Sequence, residues 1–191
     1  MKQLFNKELL LASKSPRRRA LIQELGAPVR IVENNASEDF PNHLKREEIP
    51  VYLAQQKAQH LNIDLQENQI VICADTIVWH NDIALNKPED KAHAVEMLQL
   101  LSGDKHEVIS GVCLKSTTKT TTFFDITEVY FKEFTKEEIE YYVENYKPFD
   151  KAGAYGIQEW IGFIGVEKII GSYFNVVGLP IQKLYTNLLS F

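Results

Sequence analysis

Leu10-Leu-Ala-Ser-Lys-Ser-Pro-Arg-Arg-Arg-Ala-Leu-Ile-Gln-Glu-Leu-Gly26 reads as the end of a strand, a tight turn and a short helix. Ser15 is a good N-cap, Pro16 sits where a first-turn proline belongs, and Gly26 is placed to close the helix. Arg17, Arg18 and Arg19 fill the first turn, where the sign is wrong. A helix start carries roughly half a positive charge, so each cation there is disfavoured by about a few tenths of a kcal/mol. An anion docked at that end removes the conflict. Backbone N–H groups, the hydroxyls of Ser13 and Ser15 and forked guanidiniums suit a phosphate. A solvated basic turn is the plainer alternative. This is the first strand–helix unit of a chain in which strands and helices alternate irregularly, a pattern that predicts an α/β fold with a mixed sheet.

At 191 residues the chain is long enough for a substantial core, and residues 1–191 read as one domain, with no linker, repeat or low-complexity tract. A net charge of −5 speaks against a general nucleic-acid binder and leaves room for a basic pocket that takes a small anion. No apolar run is long enough to span a bilayer and the start lacks a signal-peptide pattern, so no membrane partner and a cytoplasmic location are expected. The two cysteines, Cys73 and Cys113, lie in apolar strand-like runs and read as buried thiols in a reducing compartment. The histidines lack zinc-ligand spacing.

Gln69-Ile-Val-Ile-Cys-Ala-Asp-Thr-Ile-Val-Trp79 is the strongest strand signal. It is nearly all apolar and β-branched, as in a strand buried on both faces. Asp75 interrupts it. A buried carboxylate costs several kcal/mol unless a cation accompanies it. Asp75 therefore either has a lysine, an arginine or a metal beside it or lies at a cleft where the strand frays. Both conditions suit a catalytic acid; a structural carboxylate capping a turn is the alternative. Thr76 keeps the strand polar for a second residue, so polarity reaches both faces.

Arg30 to Glu33 is a strand candidate, followed by a polar loop, Asn34 to Lys45, that carries Glu38 and Asp39. Those acids matter only if the fold brings them to the basic site. Glu47 to Leu61 reads as a helix with Lys57 near its apolar stripe; by itself Lys57 reads as a snorkelling lysine. His80-Asn-Asp82 is a turn. A helix starts from Asn86-Lys-Pro-Glu-Asp and runs through Leu101, with Lys87 a second candidate cation. Glu107 to Leu114 and Thr121 to Phe131 are strands. Thr135-Lys-Glu-Glu138 is a capping box, and the helix behind it, Glu137 to Tyr146, buries Ile139, Tyr142, Val143 and Tyr146. Six of the nine glycines fall between Asp150 and Gly178, which means tight turns or close approach to a ligand. A last helix packs Ile181, Leu184, Leu188 and Leu189.

Leu11-Ala-Ser-Lys-Ser-Pro-Arg-Arg, Ala74-Asp-Thr-Ile-Val, Lys87-Pro, Leu101-Ser-Gly, Asp150-Lys-Ala-Gly-Ala-Tyr-Gly-Ile-Gln158 and Gly171-Ser-Tyr-Phe-Asn-Val-Val-Gly-Leu-Pro180 together resemble the Maf family of nucleoside triphosphate pyrophosphatases. The match runs in order over nearly the whole chain. It implies an elongated mixed β-sheet flanked by helices, in two lobes around a central cleft, related to inosine triphosphatases. It implies a nucleoside triphosphate substrate cut between the α and β phosphates, with Mg²⁺ or Mn²⁺. By the resemblance Asp75 is the general base. Arg17, Thr76 and Gln158 are linked to substrate choice. Ser13 and Arg18 belong to the phosphate-binding motif, and Lys57, Lys87 and Glu38 match further polar positions of the cleft. The form of the Asp150–Gln158 stretch resembles the branch acting on thymidine and uridine triphosphates; a branch acting on methylated guanosine triphosphates differs there. Three departures from the family pattern stand out: Asn86 and Glu159-Trp160 where glycine is common, and Ser110 near a usual threonine.

The expected chemistry is metal-assisted attack of water on the α-phosphorus, with Asp75 as base and metal ligand and Glu38 as second metal ligand. Arg17, Arg18, Lys57 and Lys87 neutralise the phosphates. A homodimer is what the family suggests. A nucleotide-binding regulator of cell division without turnover, and a phosphatase releasing orthophosphate, are the alternatives from other classes.

Overall fold

A computed structural model describes residues 6–191. A seven-stranded mixed sheet has the order β2-β1-β3-β5-β6-β7, with β4 paired to β3. The strands are β1 (Glu8–Ala12), β2 (Val29–Val32), β3 (Gln69–His80), β4 (Ile83–Leu85), β5 (Lys105–Lys115), β6 (Thr120–Phe131) and β7 (Val166–Ile170). The helices are α1 (Pro16–Gln23), α2 (Glu48–Gln59), α3 (Lys91–Leu101), α4 (Lys136–Tyr146), α5 (Trp160–Gly165), α6 (Tyr173–Val177) and α7 (Ile181–Ser190). The chain forms two compact units. One comprises the chain up to Thr76, Ser110–Asp125 and Gly178–Phe191; the other comprises Ile77–Ile109 and Ile126–Val177. Strands β3, β5 and β6 contribute to both.

In the first unit β1 lies parallel to β2 on one side and to β3 on the other. With α1 and α7 packed on one face and α2 on the other it is buried on both, and its alternation supplies two cores. Leu9 and Leu11 join Ile22 of α1 and Leu184 and Leu188 of α7. Leu10 and Ala12 join Ala54 and Ala58 of α2, together with Cys73 and Cys113. Gly111 of β5 allows α2 to approach closely: a Cβ there would lie 2.3 Å from the backbone of Pro50.

In the second unit β3 and β4 form a hairpin whose two turn residues, Asn81 and Asp82, both have positive φ, the geometry that matches strand twist. Helix α4 begins on the expected capping box: Thr135 Oγ1 accepts the Glu138 N–H, and the Glu138 carboxylate accepts the Thr135 N–H. Strand β7 pairs antiparallel to β6, with a bulge at Tyr130/Phe131.

Several expectations change. Helix α3 starts at Lys91, because Asp90 caps it by accepting the His93 N–H at 2.8 Å, so residues 86–90 precede it. Tyr146 is 38% exposed and Leu189 41%, so neither is core; the Tyr146 ring instead stacks on that of Tyr142. The glycine-rich stretch, read as turns, also holds β7, α5 and α6. These elements are only five or six residues long, too short to show a period, and glycines lie within or beside them. Cys73 and Cys113 are buried free thiols, as expected.

Candidate active site

Asp75 sits in β3, within the first unit, and is 7% exposed. Its required cation is Lys57: Nζ lies 2.5 Å from Asp75 Oδ1. Lys57 does not snorkel. It falls on the buried stripe of α2 with Ile49, Leu53, Ala54 and Ala58 and is 8% exposed. The same ammonium reaches Glu38 Oε1 at 3.1 Å. Glu38 comes from an irregular loop that is pinned to the end of α2: Asn34 Nδ2 donates to the Lys57 carbonyl at 2.7 Å. Asp39, the other acid of that loop, turns away and accepts from Ser37 Oγ at 2.5 Å.

The arginines of α1 divide. Arg18 points into the first unit. Its Nε donates to the Gly178 carbonyl at 2.7 Å, Nη1 to the Ala74 carbonyl at 2.9 Å and Nη2 to Thr76 Oγ1 at 2.9 Å. It therefore grips β3 immediately before and after Asp75. Burial pulls its pKa down, and the charge of Asp75 opposes that. Thr76 Oγ1 also bonds Ser110 Oγ at 2.8 Å and Gly178 O at 3.3 Å. Arg19 Nε donates to the Ser13 carbonyl at 3.2 Å. So carbonyl oxygens relieve part of the charge conflict that the sequence raised at this helix start.

The backbone donors there are partly taken as well. Pro16 has no N–H, Ser15 Oγ accepts the Arg18 N–H at 3.4 Å, and the Arg19 N–H bonds the Ser15 carbonyl. Ser13 is buried, and its Oγ accepts the Ser15 N–H at 3.2 Å. Arg17 is half-buried on the same turn.

Lys87 and Gln158 belong to the second unit, and both are exposed. The Gly153 N–H donates to the Asn86 carbonyl at 3.2 Å, which draws the Lys87 segment and the glycine-rich segment together within that unit. The reading from sequence alone missed that Tyr142, assigned to the core, carries a hydroxyl bonded to Glu159 and to the Gly156 N–H. A tyrosine on an apolar stripe gives no sign of where its hydroxyl ends.

Asp75 and Glu38 supply hard oxygen donors close enough for one cation, Lys57, to touch both. That donor set suits Mg²⁺ or Mn²⁺, which bind through one or two carboxylates plus phosphate oxygens. Among the described residues no cluster of three or more His, Cys, Asp or Glu side chains is arranged to hold an ion. Among the described residues no helix is long and apolar enough to cross a membrane.

Several known proteins are similar to this chain. A protein of Christiangramia forsetii named dTTP/UTP pyrophosphatase is 53% identical over 97% of this chain and 94% of its own length. A dTTP/UTP pyrophosphatase of Phocaeicola vulgatus is 49% identical over 95% of this chain and 94% of its own. Among solved structures, the Ham1 protein of Staphylococcus aureus is 12% identical, covers 65% of this chain and 72% of its own, and has a TM-score of 0.42. The family model described as Maf-like protein matches residues 8–191, a span that includes the Ser13–Arg18 turn, Asp75 and Gln158; the chain belongs to the Maf family.

Proposed function

We propose that this protein hydrolyses thymidine and uridine triphosphates to the nucleoside monophosphate and pyrophosphate. The observation that carries this reading is the buried Asp75 carboxylate held at 2.5 Å by Lys57, beside an arginine-rich helix start. Relatives about half identical over nearly the whole chain, named dTTP/UTP pyrophosphatase, support the substrate.

Asp75 accepts the proton of a water whose oxygen bonds to the α-phosphorus while the bond to the α–β bridging oxygen breaks. Lys57, Arg17 and Lys87 neutralise the triphosphate and the departing pyrophosphate. Ser13 frames the turn that receives a phosphate. Arg18 holds β3 on both sides of Asp75, so its part in phosphate binding is indirect. Thr76 acts on substrate choice through its bonds to Arg18 and Ser110. Gln158 reads the base, since an amide offers both a donor and an acceptor to a pyrimidine edge. Asp75 and Glu38 are the residues that would hold Mg²⁺ or Mn²⁺, which supplies charge neutralisation at the phosphate oxygens when bound.

We propose that residues 1–191 form one catalytic domain. The family match across residues 8–191 supports this, and the first five residues lie outside the described ones. A homodimer rests on the family resemblance, and light scattering checks it.

Product analysis tests the reading. Purified protein is incubated with thymidine, uridine, methylated guanosine and ordinary purine triphosphates, with Mg²⁺ or Mn²⁺. Monophosphate plus pyrophosphate from the first two is the expected result. Orthophosphate release, or no product from any of them, overturns it.

A further inference from the structure

Gln158 is presented by a short turn whose two ends meet at one hydroxyl. The turn, Gly156 to Glu159, is closed by the Glu159 N–H donating to the Gly156 carbonyl at 3.0 Å. Gln158 is its third residue and is exposed, next to Ile157, which is 6% exposed. Tyr142 of α4 is fully buried. Its hydroxyl oxygen accepts the Gly156 N–H at 3.0 Å, and its O–H donates to Glu159 Oε2. Lys151, also buried, holds the other carboxylate oxygen, Glu159 Oε1, at 3.1 Å and Asp150 Oδ1 at 2.6 Å. A side chain at the head of the turn would push the Glu159 carboxylate aside: a Cβ on Gly156 would lie 2.8 Å from Glu159 Cδ.

Burial, then the bond to Glu159, raises the Tyr142 pKa, so the phenol remains an O–H donor. One tyrosine hydroxyl and one lysine thus hold the Gly156 backbone and the Glu159 side chain, on either side of an exposed amide. Exposed turn tips are ordinarily the most mobile part of a fold, and this one is fastened to the buried face of a helix.

Rigidity matters here for a chemical reason. Guanine presents the same N–H and C=O edge as uracil and thymine, so the amide of Gln158 alone cannot tell them apart. Beyond guanine's amino group, which stands where the pyrimidines have a second carbonyl, what differs is reach, because a purine is a ring longer. An amide fixed at one distance separates them, whereas a mobile one accepts both.

We propose that Tyr142, Glu159 and Lys151 form a brace that fixes the reach of Gln158, so that Tyr142 and Glu159 are positioning residues for choosing pyrimidine over guanine nucleotides. This rests on the reading of Gln158 as the group that meets the base.

The test compares kcat/KM for thymidine triphosphate and guanosine triphosphate in the wild type, Gln158→Ala, Glu159→Ala, Glu159→Gln, Tyr142→Phe and the Gln158→Ala/Glu159→Ala double variant. Amide hydrogen exchange over residues 156–158 is measured in parallel. Glu159→Ala and Tyr142→Phe are expected to shift the ratio about tenfold towards guanosine, mainly through a higher KM for thymidine triphosphate. Glu159→Gln keeps an acceptor oxygen and shifts it less. In the Gln158→Ala background Glu159→Ala adds nothing further, since a positioning residue acts only through its target. Exchange quickens in both single variants.

Unchanged exchange overturns the brace. Faster exchange with an unchanged ratio, where Gln158→Ala alone does shift it, overturns the positioning role and leaves the reading of Gln158 standing. A ratio that Gln158→Ala does not move overturns that reading, and the proposal falls with it. If Tyr142→Phe does not fold, Glu159→Gln and Glu159→Ala carry the same comparison.

Discussion

Lys57 Nζ lies 2.5 Å from Asp75 Oδ1 and 3.1 Å from Glu38 Oε1, so one lysine joins a buried strand carboxylate to an exposed loop carboxylate. The side chains of Asp75 and Lys57 are each 11% exposed, against 49% for Glu38. Replacing Asp75 by Asn preserves the shape and an acceptor for Lys57, and Glu38 keeps a negative charge nearby. Turnover is expected to fall by about 10²–10⁴ with the fold intact. Steady-state rates together with circular dichroism measure both, and full activity in this variant would remove Asp75 from the mechanism.

The same geometry makes the two ion pairs unequal in stability. Lys57→Met leaves Asp75 buried without its cation and is expected to cost about 3 kcal/mol. Glu38→Gln removes an exposed partner and is expected to cost less than about 1 kcal/mol. Urea unfolding of the two variants compares them directly; equal losses would mean the buried pair has no special weight.

Thr76 predicts a contrast between two conservative changes. Its hydroxyl meets Arg18 at 2.9 Å and Ser110 at 2.8 Å. Thr76→Ser keeps that oxygen and is expected to stay near wild-type stability. Thr76→Val removes one hydrogen bond from each of Arg18 and Ser110, at a cost of about 1 kcal/mol. Thermal unfolding separates the two, and a Val variant as stable as the Ser variant would show the network to be idle.

His106 gives the protein a pH-dependent stability. It is 1% exposed among the rings of Phe131 and Tyr155, and its Nε2 lies 2.7 Å from the Tyr155 hydroxyl. Burial, aided by the charge of His80 and opposed by Asp104, pushes its pKa down from 6.5 to about 3. Between those values the unfolded chain binds the extra proton. The contribution is therefore complete above pH 6.5 and is lost as pH falls towards 3, at up to about 1.4 kcal/mol per pH unit. Unfolding free energies measured from pH 7 to 4 should fall less steeply in His106→Phe than in wild type.

Cys73 and Cys113 are buried thiols whose pKa values burial raises to about 12 and about 11. Neither is expected to react with an aromatic disulfide reagent at pH 8 in the native protein, and both should react once it is unfolded. Rapid labelling of native protein would contradict their burial.

Much of this molecule was legible before folding. Ser15 and Pro16 start α1, and Thr135 with Glu138 starts α4, because a capped helix end is satisfied by residues within a few positions of it. The β-branched run around Ile70 to Ile72 announced a strand buried on both faces. A carboxylate within such a run demands a cation, and Asp75 has one.

The sequence by itself determined local hydrogen bonding, hydrophobic period and the Maf family pattern. Only the tertiary structure decided the partners. It chose Lys57 for Asp75, turned Arg18 to the carbonyl of Gly178, 160 residues away, and placed the Tyr142 hydroxyl between Glu159 and Gly156. It also assembled β7 from five residues, too few to show a period. The physical reason is one of range. Caps and stripes are written over a few residues, whereas a buried polar group takes whichever partner the packing of distant elements brings within about 3 Å.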